Sequence, residues 1–254
     1  MTDLERFETV LRELGELWLR LGDLAEHVMV IGGQVIALES RTRGGDGVIE
    51  VETSVGPKVV RGYSFDLDLL YDGEAGWMGE RLPEVLRSCG FERSTSFRWT
   101  KLVGAERVDI DLLVAPSAEP GNLPTPMTTA PGGDIAVLRP RRVQLTPAVK
   151  VSIPSPLDFL ALKVEAKKTR PKATKDSFDL FAYVSLMTAQ VISDALSTGG
   201  ADGERLRREI LGLFGTEKAP GVLDILAYAG TLEPTDRQLV ARSVVDLMQK
   251  ATAG

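Results

Sequence analysis

Ser64-Phe65-Asp66-Leu67-Asp68-Leu69-Leu70 alternates acidic and apolar residues, and Arg107-Val108-Asp109-Ile110-Asp111-Leu112-Leu113-Val114 repeats the pattern further along the chain. Side chains of a strand point alternately to its two faces, so each stretch reads as a strand with its aspartates on one face and its apolar residues on the other. Carboxylates at i and i+2 of a strand lie about 6–7 Å apart, a spacing at which two oxygen ligands grip a hard cation between them. A single Asp-x-Asp is most often a wet strand face. A second strand of the same kind changes the reading, because like-charged carboxylates that converge without a cation repel one another.

Upstream, Val28-Met29-Val30-Ile31 reads as a short buried strand, Gly32-Gly33 ends it, and Gln34 to Ser40 forms a helical turn or short helix. Glycines at a strand-to-helix turn let the backbone approach a phosphate, and a helix N-terminus favours its charge. Neither a Gly-x-x-x-x-Gly-Lys-Ser/Thr loop nor a Gly-x-Gly-x-x-Gly fingerprint occurs, which removes the commonest nucleotide sites. Leu4, Phe7, Val10, Leu11, Leu14, Leu17 and Trp18 recur at three- and four-residue steps, predicting an amphipathic helix over residues 3 to 20. Arg41 to Gly47 reads as a loop; Val48 to Thr53 and Val59 to Tyr63 read as antiparallel strands joined across Ser54 to Pro57; Glu80 to Ser88 reads as a helix.

Nine of the fourteen prolines fall between Pro116 and Pro156, which predicts loops and edge strands there, such as Val149 to Ile153, and no helix. Ser155-Pro156-Leu157-Asp158 then opens a helix, and the remainder is helical with breaks at Gly199-Gly200, Ala219-Pro220-Gly221 and Pro234. The expected class is α+β: a mixed β-sheet core with flanking helices over residues 1–154, followed by a helical domain over 155–254.

The 254 residues hold one Cys and one His. Cys89 and His27 supply at most two of the ligands a zinc site needs, Cys89 has no second cysteine for a disulfide within the chain, and imidazole catalysis would depend on His27 alone. Composition is ordinary for a folded domain, at 43% apolar and 26% charged. The longest apolar stretch is broken by Gly32, Gly33 and Gln34, and the N-terminus is acidic, so neither a membrane segment nor an export signal is expected and the cytoplasm is the natural compartment. The net charge of −6 argues against nucleic-acid binding over the whole surface. Lys163, Lys167, Lys168, Arg170, Lys172 and Lys175 against Glu165 nevertheless make a local balance of +5, a candidate contact for triphosphate or an RNA backbone.

The order Gly32-Gly33, then Asp66-Leu67-Asp68, then Asp109-Ile110-Asp111 resembles the nucleotidyltransferase superfamily that includes DNA polymerase beta. Arg61, Ser64, Asp66 and Asp68 are similar to the stretch leading into the metal-binding aspartates of the AbiEii/MenT nucleotidyltransferase toxins, and Leu162-Lys163-Val164-Glu165-Ala166 with Arg170, Lys175-Asp176 and Asp179 resembles their helical motif. The likeness covers residues 28 to 180. It implies a nucleotidyltransferase-like core whose cleft the helical domain completes. Asp66, Asp68 and Asp111 would hold two Mg²⁺ ions, and Lys163 would neutralise the phosphates. Gly32, Gly33, Ser64, Arg170 and Asp176 would join Lys163 around the NTP.

Asp109 is the alternative third carboxylate; Asp111 is preferred because Leu112-Leu113-Val114 resembles the end of the family's third acidic strand. The resemblance further implies an RNA acceptor such as a tRNA 3′ end and a cognate antitoxin. A small-molecule acceptor, or a degenerate module that binds nucleotide without turnover, is the rival. Two departures stand out: the 32 residues between Gly33 and Asp66 exceed the family's usual dozen or so, and Gln34 stands where many relatives carry a small or hydroxyl residue.

Overall fold

A computed structural model of the chain describes residues 2–51, 59–73, 78–118, 127–136, 139–230 and 232–253. It is α+β, with its chain grouped into two units: Met1–Gly44 with Tyr63–Ser155, and Gly45–Gly62 with Pro156–Gly254.

The first unit begins with α1 (Asp3–Leu21), capped by a reciprocal Thr2–Glu5 box. Its predicted apolar face is buried from Phe7 to Trp18, whereas Leu4, in the first turn, is 45% exposed. A 3₁₀ turn, Gly22–Glu26, leads to β1 (Val28–Ile31), and Gly32-Gly33 leads to α2 (Gln34–Thr42), so helix occupies the start of the expected Arg41–Gly47 loop.

In the second unit β2 (Ile49–Val51) pairs antiparallel with β3 (Val59–Arg61), as the alternation predicts. Thr53 and the Ser54–Pro57 turn lie outside the described residues. The first unit resumes with β4 (Asp66–Tyr71), α3 (Met78–Ser88), β5 (Glu92–Arg93), β6 (Arg98–Val103) and β7 (Glu106–Val114). After a short 3₁₀ turn, Pro116–Ala118, come β8 (Thr128–Thr129), α4 (Gly133–Ala136), β9 (Arg141–Thr146) and β10 (Val149–Ile153). The single helical turn of α4 departs from the expectation of no helix in the proline-rich stretch.

The central sheet runs β1-β4-β7-β6-β5, with β8 also paired to β7. Strand β1 is antiparallel to β4, β4 is parallel to β7, and β6 is antiparallel to β7. Leu67, Leu69, Ile110 and Leu112 are at most 1% exposed, so one face of the acidic strands is core. Burial of each such side chain contributes about 1.5–3 kcal/mol.

The rest of the second unit is α5 (Pro156–Thr169), α6 (Thr174–Met187), α7 (Ala189–Thr198), α8 (Gly200–Phe214), α9 (Pro220–Tyr228) and α10 (Pro234–Thr252). Its core includes Phe159 stacked on Tyr183 with centroids 4.0 Å apart and Phe178 against Tyr228 at 4.3 Å. The break between α6 and α7 falls at Thr188, whose φ of 73° is a backbone that β-branched residues rarely adopt. The β2–β3 hairpin packs on α6, where Arg61 meets Asp179. That contact is why the hairpin groups with the helices and not, as the sequence reading has it, with the first 154 residues. Among the described residues no single helix is long and apolar enough to cross a membrane.

Candidate active site

The parallel register of β4 and β7 pairs Asp66 with Asp109 and Asp68 with Asp111. Partners in register share a face, so four carboxylates form a patch about 5 by 7 Å, set by the strand separation and the i, i+2 rise. Asp66 is exposed, Asp68 and Asp111 are half-buried, and Asp109 is 9% exposed.

The glycine turn meets this patch at Asp68. Ile31, the last residue of β1, pairs with Asp68, and Gly32 follows at a φ of 73°. A Cβ on Gly32 would land on Oδ2 of Asp68 and only 3.0 Å from its carboxyl carbon, so both conformation and space require glycine. Gly33 then caps α2 with an ordinary φ of −69°. Gly32→Ala should therefore cost about 1–3 kcal/mol. Urea unfolding with an unchanged midpoint would show that the Asp68 carboxylate does not occupy this place.

Ser64, expected near the NTP, and Gln34, the departure beside the glycine turn, are bonded to each other. Gln34 is fully buried and donates from Nε2 to the backbone carbonyl of Ser64. Ser64 is itself 5% exposed. The pair ties the glycine turn to the residues entering β4, a brace the sequence reading missed.

Arginines meet both carboxylates of β7. Arg98 lies directly opposite Asp111 and grips it with two bonds, Nε to Oδ1 at 2.6 Å and Nη2 to Oδ2 at 2.7 Å. Asp109 accepts from Thr100 Oγ1 at 2.7 Å and Arg107 Nε at 2.8 Å. Burial alone would raise the Asp109 carboxyl; bonding to Arg107 and Thr100 outweighs it and holds the pKa below its ordinary value. Arg98, Thr100 and Arg107 were not singled out in the sequence. The available signal was Phe97-Arg98-Trp99-Thr100-Lys101-Leu102-Val103 followed by Gly104, a strand and turn whose register sets Arg98 against Asp111.

As donors, the carboxylates of Asp66 and Asp68 suit a hard divalent cation such as Mg²⁺. The sequence reading adds Asp111 to them as a third ligand; its oxygens are instead taken by Arg98, and among the described residues no three His, Cys, Asp or Glu side chains are grouped to hold a metal.

No family model matches the chain. No curated protein matches it either.

The helical-motif residues form a cluster of their own within the second unit. Lys163, 7% exposed, donates to Asp179 at 2.6 Å and lies 3.5 Å from Asp176. Arg61 Nε donates to the other oxygen of Asp179 at 3.0 Å, and Arg170 reaches Asp176 at 3.1 Å. Lys163 is thus a buried ion-pair partner. Lys167, 5% exposed, is bound to Asp224 at 2.5 Å and to the carbonyls of Pro171 and Ala173. Lys168 pairs with Glu165 and Glu209. Four of the six basic residues in this run are therefore neutralised within their own unit, while Lys172 and Lys175 are exposed.

Proposed function

We propose that this chain is a Mg²⁺-dependent nucleotidyltransferase, moving a nucleoside monophosphate from an NTP to an acceptor hydroxyl with release of pyrophosphate. The observation that carries the reading is Gly32, held at positive φ with the Asp68 carboxylate in the place of its missing side chain, at the edge of a sheet face carrying Asp66 and Asp68. This joins a turn suited to phosphate with two carboxylates suited to a hard cation. In this reading Asp66 and Asp68 hold the ion, and the Gly32-Gly33 backbone at the start of α2 faces phosphate oxygens. The bound ion supplies charge neutralisation on the triphosphate and a lowered pKa for the attacking hydroxyl. Lys163, Arg170 and Asp176 enter through the family resemblance alone, as do a tRNA 3′ end as acceptor, a toxin's role and an antitoxin partner.

The second reading keeps the chemistry and replaces RNA with a small-molecule hydroxyl. It is favoured by the ion pairing of Lys163, Lys167, Lys168 and Arg170, which reduces the basic run to a smaller exposed charge. The test is incubation with Mg²⁺ and each α-labelled NTP, with total tRNA or with a panel of hydroxyl-bearing small molecules. Label on RNA that disappears in Asp66→Asn supports the RNA reading, label on a small acceptor supports the second, and no transfer from any NTP to any acceptor sinks both.

A further inference from the structure

The β6–β7 hairpin fixes Arg98 on the acidic face, with Arg107 bonded to Asp109 beside it. Arg98 and Asp111 are direct cross-strand partners, and the next pair along, Thr100 and Asp109, is joined by a hydrogen bond of 2.7 Å. Beyond Asp111, the amide of Leu112 donates to the carbonyl of Phe97 at 2.8 Å, so backbone bonding continues past the ion pair. The guanidinium uses two of its donors on the two oxygens of Asp111, and its third nitrogen, Nη1, stands 3.7 Å from Oδ2 of Asp109. A planar fork on both oxygens of one carboxylate is the strongest form of this contact. It is also the least compatible with a hard cation on the same group: an ion bonded to either oxygen would sit within a few ångströms of a permanent positive charge.

We propose that Arg98 stands at Asp111 where a second divalent ion would otherwise bind, so that the acidic face takes one divalent cation, on Asp66 and Asp68, beside a fixed guanidinium. The inference rests on the nucleotidyltransferase reading and replaces the two-ion arrangement by a one-ion site with a built-in charge. Arg98 then sets the ion stoichiometry, and Asp111 is a positioning residue that holds the guanidinium on the face and binds no metal.

Mn²⁺ binding, followed by the loss of its free-ion paramagnetic resonance signal and by calorimetry, tests this without any nucleotide or turnover. The wild-type chain should bind one ion, and Asp66→Asn or Asp68→Asn should remove it. Arg98→Gln should bind two, and Arg98→Gln combined with Asp111→Asn should return to one. Asp111→Asn alone gives a check that does not depend on how well Arg98→Gln folds: it should still bind one ion, with affinity changed by no more than about threefold through the altered local charge. Two ions in the wild type, one ion in folded Arg98→Gln, or a loss of the ion in Asp111→Asn overturns this proposal and leaves the nucleotidyltransferase reading standing. No Mn²⁺ in the wild type, or an ion indifferent to both Asp66→Asn and Asp68→Asn, overturns that reading and this inference with it.

Discussion

Asp179→Ala should destabilise the chain by about 3–5 kcal/mol, the cost of leaving buried charges without their partner. Asp179 is fully buried, and its two oxygens are divided between Lys163 at 2.6 Å and Arg61 at 3.0 Å. Removing it leaves an ammonium and a guanidinium buried together, with Arg61 Nη2 already lacking a hydrogen-bond partner among the described residues. Urea unfolding checks the figure; a shift below about 1 kcal/mol, the range of an exposed pair, would show that the cluster is solvated. Arg170→Ala provides the contrast. Its side chain is 62% exposed on the same cluster and should cost under about 1 kcal/mol.

The cluster also gives an acid limit. Burial alone would raise the Asp179 carboxyl, but the charges of Lys163 and Arg61 outweigh it and hold its pKa below the ordinary 3.8. A carboxylate depressed by folding contributes stability that is present above that ordinary value and lost as pH falls through the lowered folded one. Stability of the wild type should therefore drop more steeply below pH 3.8 than that of Asp179→Asn.

Asp66→Ala or Asp68→Ala should lower nucleotide transfer by about a hundredfold or more while leaving the fold intact, since loss of a direct ligand exceeds the 10–100-fold typical of residues behind it. Asp66 is exposed and Asp68 half-buried, so neither truncation empties the apolar core. Relief of repulsion on the acidic face should leave the thermal midpoint unchanged or slightly raised. Wild-type turnover in either variant at saturating Mg²⁺ would remove these aspartates from the metal site.

What could be read from the sequence was local. Asp66 to Leu70 and Val108 to Val114 alternate so regularly that both strands and the acidic face of each follow from side-chain periodicity, whereas the sharing of that face comes from the β4–β7 register. Gly32 was legible because a strand-to-helix turn has a chemical reason to use glycine. Arg98 was not, because its role arises from register with Asp111 across a hairpin, and β6 hides its pattern behind Leu102, an apolar residue that is 72% exposed. The α6–α7 break was invisible for a related reason: Thr188 takes a left-handed backbone with neither glycine nor proline at the turn. The ion pairing of Lys163 was not legible, because the apolar residues around it do not reveal that Asp176 and Asp179, a helix away, make burial of a charge tolerable.

The grouping of residues 45–62 with residues 156–254 carries a consequence for synthesis on the ribosome. The chain emerges from its N-terminus, so the β2–β3 hairpin leaves the exit tunnel long before α6, the helix on which it packs. In that interval Arg61 has no Asp179 to meet, and the short hairpin must wait in water, where two strands alone are marginal at best. The second unit cannot close until translation has run through Asp179. A gene fragment ending at Ser155 would accordingly encode the early hairpin without its partner, whereas an internal deletion of residues 45–62 would leave Asp179 with Lys163 but deprive it of its guanidinium.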